Sequence, residues 1–183
     1  ELLPTFEDAR KQLSRSLAAL GFAQLFSKNE MGCTDAWLRC LEVAPTDFDK
    51  EAIERQLKLA WTRLEGRGLK RSKNGDIDGA IADFRRCLKI DPGMHWAAWL
   101  LATALQAQKD VDLVELEGLC RKALAWQLKN GIDASRQSYL LATTLQRQGN
   151  EDEAREVAIE YLKKPSEDAD SKVLEVLKAL AGS

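Results

Sequence analysis

Two segments of this sequence recur at fixed spacings, and this self-similarity predicts a repeat architecture. Residues 40–45 match residues 87–92 at a spacing of 47. Residues 99–108 match residues 139–148 at a spacing of 40, and seven of the ten positions are identical. Helical units that recur along a chain stack on their neighbours, because no single unit can bury its own apolar face. The sequence therefore predicts a stack of helical hairpins.

The spacing of helix breakers predicts an all-α fold. Prolines occur only at positions 4, 45, 92 and 165, and the tracts between them are rich in helix-forming residues. None of these tracts shows the period-two alternation that is typical of a half-buried strand. The longest predicted helix covers 48–73 with Asp47 as its cap, and at about 1.5 Å per residue it would be roughly 39 Å long.

The clearest single unit runs from Trp61 to about Met94. It has small residues at Gly68 and Ala80, Phe84 between hairpins, and Pro92 after the second helix. This pattern resembles the tetratricopeptide repeat, whose period is about 34 residues. The resemblance implies a right-handed α-α superhelix of helical hairpins with a C-terminal capping helix. It implies a single domain over 1–183, with hairpins at about 5–45, 47–92, 95–128 and 134–165 and a cap at about 171–181.

Composition and charge exclude several classes of protein. The formal net charge is -2, which disfavours nonspecific binding to nucleic acid or to a membrane surface. The longest apolar stretch has ten residues, whereas a membrane-spanning helix needs about 20. No leader sequence is visible, and a start at Glu1 indicates an excised domain or a processed product. Four cysteines without a C-x-x-C pair favour a reducing, cytoplasmic setting.

Few residues offer catalytic chemistry. His95 is the only histidine, and no nucleophile or paired acid lies near it in sequence. Cys33 and Cys40 lie on one helix face, where a metal site is conceivable, but packing explains the cysteines better. Phosphate-binding loops and hydrolase motifs are absent from the sequence. We therefore predict no enzyme activity, no cofactor and no metal site.

The resemblance also implies where a partner binds, because tetratricopeptide arrays usually hold an extended peptide or a helix in the groove lined by their first helices. Aromatic rings there can cover the side chains of a peptide while glutamines pair with its backbone. An alternative in which Trp96 and Trp99 fill the core stays open. The predicted groove residues are Thr62, Glu65, Leu69, Trp96, Trp99, Thr103, Gln106, Arg136, Tyr139, Thr143 and Gln146.

Some members of the family grip the terminal carboxylate of chaperone tails with a clamp of lysine, asparagine and arginine. The matching positions in this chain carry other residues, so we expect no such clamp. The positions are Ala18, Phe22, Gly66, Trp96 and Leu100.

A basic patch follows one side of the long predicted helix at Arg63, Arg67, Lys70 and Arg71. Arg67 and Arg71 stand where the family normally has apolar residues. The patch is interpreted as a solvated or ion-paired face, as a dock for an acidic segment, or as a site for RNA. Nucleic acid is the less favoured partner, because no aromatic residues are interleaved with the patch. A homo-oligomer formed through helix 48–73 is a further alternative.

Overall fold

The computed structural model describes residues 5–108, 110–167 and 169–182, and all secondary structure in these ranges is helical. The all-α prediction is confirmed. No helix in the described ranges combines the length and the apolar character needed to cross a membrane. The nine helices in these ranges are α1 Phe6–Phe26, α2 Glu30–Val43, α3 Glu51–Lys73, α4 Ile77–Ile90, α5 His95–Gln106, α6 Leu113–Asn130, α7 Ser135–Arg147, α8 Glu151–Lys163 and α9 Ser171–Gly182.

The predicted start of the long helix is wrong by three residues, because α3 begins at Glu51 rather than at residue 48. Asp47 does not cap it. The Asp47 carboxylate instead forms an ion pair with Lys11, and this hydrogen bond lowers the pKa of Asp47. The Asp49 Oδ1 accepts a hydrogen bond from the N–H of Glu51, the first residue of the helix, at 3.1 Å.

Two compact units divide the chain, one over residues 1–66 and one over residues 67–183. The first contains α1, α2 and most of α3. The second contains the end of α3 and all of α4 to α9. A single domain over the whole chain stays a prediction.

In the first unit, α1 and α2 approach closely at Gly21. A Cβ atom built on Gly21 would lie 2.2 Å from the Trp37 Nε1, so only glycine fits there. Trp37 is fully buried, and its ring meets Phe22 edge-on with centroids 5.3 Å apart. The Cys40 thiol donates a hydrogen bond to the Ser14 carbonyl at 3.1 Å. These contacts bury the facing sides of the two helices.

In the second unit, one apolar core runs from α4 to α9 and includes buried residues of every helix between them. The C-terminal helix α9 packs against α7 and α8, and Leu177 is fully buried in that contact. The predicted capping helix is therefore confirmed. Its place at the end of the core matches the requirement of helical stacks for a terminal cap.

α5 and α7, the first helices of two successive hairpins, are each followed by a glutamine that makes an equivalent contact. Gln108, which follows α5, donates from its Nε2 to the Asp78 Oδ1 at 2.8 Å, at the start of α4. Gln148, which follows α7, donates from its Nε2 to the Leu113 carbonyl at 3.1 Å, at the start of α6. The 40-residue repeat in sequence is thus also a repeat of helix-to-helix contacts.

Gly68 lies on α3 against the ring of Phe84, where a Cβ atom would be 2.6 Å from the ring Cε1. We expect Gly68→Ala to destabilise the protein by about 1–2 kcal/mol, because the overlap outweighs the gain in helix propensity of about 0.5–1 kcal/mol. Gly66→Ala is a matched control on the same helix, since nothing lies within 4 Å of its Cβ position. It should stabilise the protein by about 0.5–1 kcal/mol.

Urea unfolding of the two variants checks this prediction. Adding Phe84→Leu to the Gly68→Ala variant should recover part of its loss by making room for the methyl group. Equal effects of the two alanines would contradict the close approach at Gly68.

Candidate functional site

α5 and α7 expose the same stripe of side chains. Their opposite faces are buried in the apolar core through leucines and alanines that match in the two helices. The stripe positions are spaced three, four and three residues apart, so they lie on one side of each helix. We call this set the first-helix stripe. It consists of Trp96, Trp99, Thr103 and Gln106 on α5 and Arg136, Tyr139, Thr143 and Gln146 on α7.

Two aromatic side chains of the stripe are stacked at the start of α5. The ring centroids of Trp96 and Trp99 lie 4.3 Å apart with a tilt of 37°. Trp96 is 42% exposed, whereas Trp99 is half-buried and packs against the core. Tyr139, equivalent to Trp99 in the repeat, is half-buried in the same way. The two interpretations of these tryptophans therefore both hold in part, because Trp99 packs on the core and still reaches the surface.

The polar members of the stripe are arranged alike on the two helices. The Thr103 hydroxyl donates to the Trp99 carbonyl at 2.9 Å, and the Thr143 hydroxyl donates to the Tyr139 carbonyl at the same distance. Each hydroxyl oxygen keeps the capacity to accept from an incoming N–H. Gln106 and Gln146 are exposed, so their amides can donate and accept at once.

The stripe carries no negative charge. α5 contains no aspartate, glutamate, lysine or arginine, and the charged residues of α7 are Arg136 and Arg147. Arg136 is exposed at the start of α7. The surface of these two helices therefore offers aromatic rings, amides and cations, and no carboxylate that would repel an acidic ligand.

The remaining predicted groove residues lie on α3. Leu69 is exposed in the second unit. Thr62 and Glu65 belong to the first unit, where Thr62 is exposed and donates from its hydroxyl to the Lys58 carbonyl at 3.2 Å. Glu65 is half-buried. Their assignment to a groove stays a prediction.

The basic patch is partly engaged by a carboxylate that sequence reasoning missed. Asp83 of α4 is only 3% exposed. Its two oxygens accept from the Nη2 and Nε of Arg67 at 2.7 and 2.9 Å, and from the Nη1 of Arg71 at 2.9 Å. Arg71 also pairs with Asp76 at 3.4 Å. The signal for this cluster was the placement of two arginines at apolar positions of the repeat, since buried charges require a partner.

Asp83 therefore explains how the two arginines are accommodated in the second unit. Their guanidinium groups satisfy a buried carboxylate, and each keeps more than a third of its side chain exposed to solvent. The other two members of the basic patch are exposed on α3, with Arg63 in the first unit and Lys70 in the second.

The groups with catalytic potential occupy packed positions. His95 is the first residue of α5, and its ring stacks on Trp126 of α6 with centroids 5.7 Å apart. All four cysteines are free and buried. Burial raises the pKa of the Cys120 thiol to about 12, so it holds almost no nucleophilic thiolate at neutral pH. In the ranges that the structure describes, no three potential ligands come together as a metal site.

The stacked hairpins, the shared core and the repeated surface stripe define a helical-hairpin repeat protein. Residues 71–94 match the family model described as tetratricopeptide repeat. This match covers 24 of the 183 residues, and the fold of the described residues is similar to that of a solved tetratricopeptide-repeat structure, as the sequence predicted.

A comparison with solved structures finds tetratricopeptide-repeat proteins. The TPR2AB domain of yeast Sti1, solved in complex with pHSP90, has a TM-score of 0.55 and 17% identity, over 95% of this chain and 71% of that one. A tetratricopeptide repeat protein from Parabacteroides merdae ATCC 43184 has a TM-score of 0.32 and 13% identity, over 91% of this chain and 84% of that one. A comparison with curated protein sequences finds no match.

Proposed function

We propose that the chain is a noncatalytic protein-interaction module that binds a peptide or a helix of a partner protein along the first-helix stripe. The observation that carries this proposal is the exposed Trp96 stacked on Trp99. A large aromatic ring held on the surface by its neighbour offers contact area at a low cost in side-chain entropy, which is why such residues dominate binding surfaces.

The repeated polar groups support an extended peptide as the ligand. Side-chain amides at equivalent positions of α5 and α7 can each pair with a peptide bond of the ligand, at Gln106 and at Gln146. The rings of Trp99 and Tyr139 would cover its side chains. A peptide bound this way is recognised through its backbone and its apolar side chains.

Chaperone-like recognition of a terminal carboxylate is a weaker proposal for this chain. The Sti1 domain is similar to it in fold, yet the positions of the carboxylate clamp carry Ala18, Phe22, Gly66, Trp96 and Leu100 here. None of these side chains can donate to a carboxylate except the indole of Trp96. We therefore propose an internal segment of the partner, in a scaffold or adaptor, as the ligand.

RNA binding through the basic patch has less support. Arg67 and Arg71 are engaged by Asp83, and phosphate binding would have to compete with that buried carboxylate. The four free, buried thiols agree with the cytoplasmic location that we propose.

Site-specific photo-crosslinking tests the groove. A benzophenone side chain placed at Gln106 or at Gln146, both exposed, should capture the same partner from a native extract. The matched control is the same probe at Val114, an exposed position on α6 outside the stripe. We expect Trp96→Ala to lower the yield at Gln146 by about tenfold, which corresponds to about 1.4 kcal/mol.

Trp96 is the better residue to truncate than Trp99 or Tyr139, because those two also pack against the core. Thermal unfolding of Trp96→Ala should show that its helical fold is intact. Equal capture from Val114 and from the stripe, or an unchanged yield in Trp96→Ala, would overturn the assignment of the groove.

A further inference from the structure

A second surface of the molecule lies between α6 and α8, and no residue of the first-helix stripe lines it. It is a cleft of about 520 Å³ whose walls are mainly apolar. Leu124 and Leu128 come from α6, Ile132 from the following loop and Val157 from α8, and Pro165 lies beyond the end of α8. We call it the outer cleft.

The cleft is open because the two helices that flank it differ in length. α4 and α8 each end just before a proline, at Pro92 and Pro165, whereas α6 has no proline at the matching point and continues to Asn130. Gly131 then ends α6 in the left-handed conformation, with φ 65°. The extra turn of α6 therefore extends beyond the end of α8.

That extra turn leaves apolar side chains uncovered. Leu128 is 60% exposed and Ile132 is 45% exposed. One repeat earlier, the indole of Trp126 near the end of α6 stacks on His95, the first residue of α5. Aligning the buried positions Cys120 and Ala158 places Lys164, which follows the end of α8, at the position equivalent to Trp126. The outer cleft therefore has a lysine at the position where an aromatic ring covers the preceding repeat.

The charges around the outer cleft are mainly negative. A shallower cleft continues along α8 and shares Val157 and Glu160 with it. The charged groups that line the two are the carboxylates of Asp133, Glu153, Glu156 and Glu160 and the ammonium groups of Lys163 and Lys164.

Ion pairs within the chain neutralise some of these groups. Glu153 pairs with Arg121 at 2.6 Å and Glu160 pairs with Lys163 at 2.5 Å. Glu156 is exposed, and no ion pair engages it among the described residues. α8 as a whole contains five carboxylates and two basic residues. Apolar lining residues beside the carboxylates of α8 are complementary to an apolar segment that carries positive charge.

We propose that the outer cleft is a second docking site, and that it takes a basic amphipathic segment of a partner protein. Two apolar residues of that segment, one helical turn apart, enter between Leu128 and Val157 and cover Ile132. Lysine or arginine side chains that flank them face the carboxylate of Glu156, which is exposed and unpaired among the described residues. The carboxylates of α8 would repel an acidic segment with the same apolar pattern.

Two synthetic amphipathic helical peptides test the proposal with the full chain. They share their leucine positions and differ only in having lysines or glutamates at the flanking positions. The lysine peptide should bind saturably and shift the methyl resonances of Leu128 and Ile132 in NMR spectra. We expect its affinity to exceed that of the glutamate peptide by about tenfold at low salt.

Variants of exposed residues separate the outer cleft from nonspecific binding. The double variant Leu128→Ser with Ile132→Ser should weaken the lysine peptide by about tenfold, and Glu156→Gln by about threefold. Val114→Ser, which alters a 74% exposed side chain on the first turn of α6, is the control and should bind as the unmodified protein does.

Any one of four results would overturn the proposal. They are the absence of saturable binding, equal binding of both peptides, resonance shifts confined to α5 and α7, and an equal loss of binding in the Val114→Ser control. Because the crosslinking test uses positions on α5 and α7 only, the groove and the outer cleft can fail independently.

Discussion

Asp83→Ala is expected to lower the free energy of unfolding by about 3 kcal/mol, because it removes a buried carboxylate that accepts from two arginines. The cost should stay below that of a fully buried ion pair, since Arg67 and Arg71 are partly exposed and can regain water. Urea unfolding at neutral pH measures it. Asp152→Ala is the control, since its carboxylate is fully exposed and its loss should leave the stability nearly unchanged.

A triple variant tests whether the cluster is required or only tolerated. Asp83→Leu combined with Arg67→Met and Arg71→Leu replaces the buried carboxylate and both of its arginine partners by apolar side chains. It should recover most of the stability lost in Asp83→Ala, because no buried unpaired charge then remains and the Asp76 carboxylate, which loses Arg71, is exposed to solvent. A loss below about 0.5 kcal/mol in Asp83→Ala would contradict the structural role of this carboxylate.

Alkaline pH is expected to destabilise the protein through Cys120, by roughly 2 kcal/mol near pH 10.5. Burial raises the pKa of this thiol from 9.0 to about 12 in the folded protein, while the unfolded chain ionises near the ordinary value. The unfolded state therefore releases its proton first. The stability that the neutral thiol contributes is present below about pH 9 and is lost at about 1.4 kcal/mol per pH unit as the pH rises towards 12.

Unfolding curves of the unmodified protein and of Cys120→Ala between pH 8 and the alkaline range check this prediction. The alanine variant should be less stable by about 1 kcal/mol at pH 8, because it leaves a small void in the core. The difference between the two proteins should shrink as the pH rises and then change sign. Parallel pH dependences would show that Cys120 ionises alike in both states.

Most of the helices were predictable from the sequence, because their boundaries depend on neighbouring residues. α4 and α8 end at Ile90 and Lys163, just before the prolines at 92 and 165 that the sequence marks as helix breakers. The start of α3 was predicted wrongly. Asp47 was a plausible cap by local rules, but it forms its ion pair with Lys11, which is 36 residues away.

The stripe on α5 and α7 was also predictable, because a helical period and a 40-residue repeat fix which side chains share a face. The degree to which each side chain of the stripe is exposed was not predictable from the sequence. Trp96 and Trp99 lie on the same face three residues apart, yet one is exposed and the other packs on the core. That difference depends on which neighbouring helices reach each ring.

The sequence by itself determined the all-α class and the hairpin repeat, because periodicity, breakers and self-similarity are local properties of the chain. Only the tertiary structure decided which charges are paired and which apolar residues stay exposed. Asp83 meets Arg67 because the end of α3, from residue 67 onwards, lies against α4, and Leu128 is uncovered because α6 continues to Asn130 whereas α8 ends before Pro165. Such contacts join residues far apart in sequence, and their energies depend on burial that no single segment specifies.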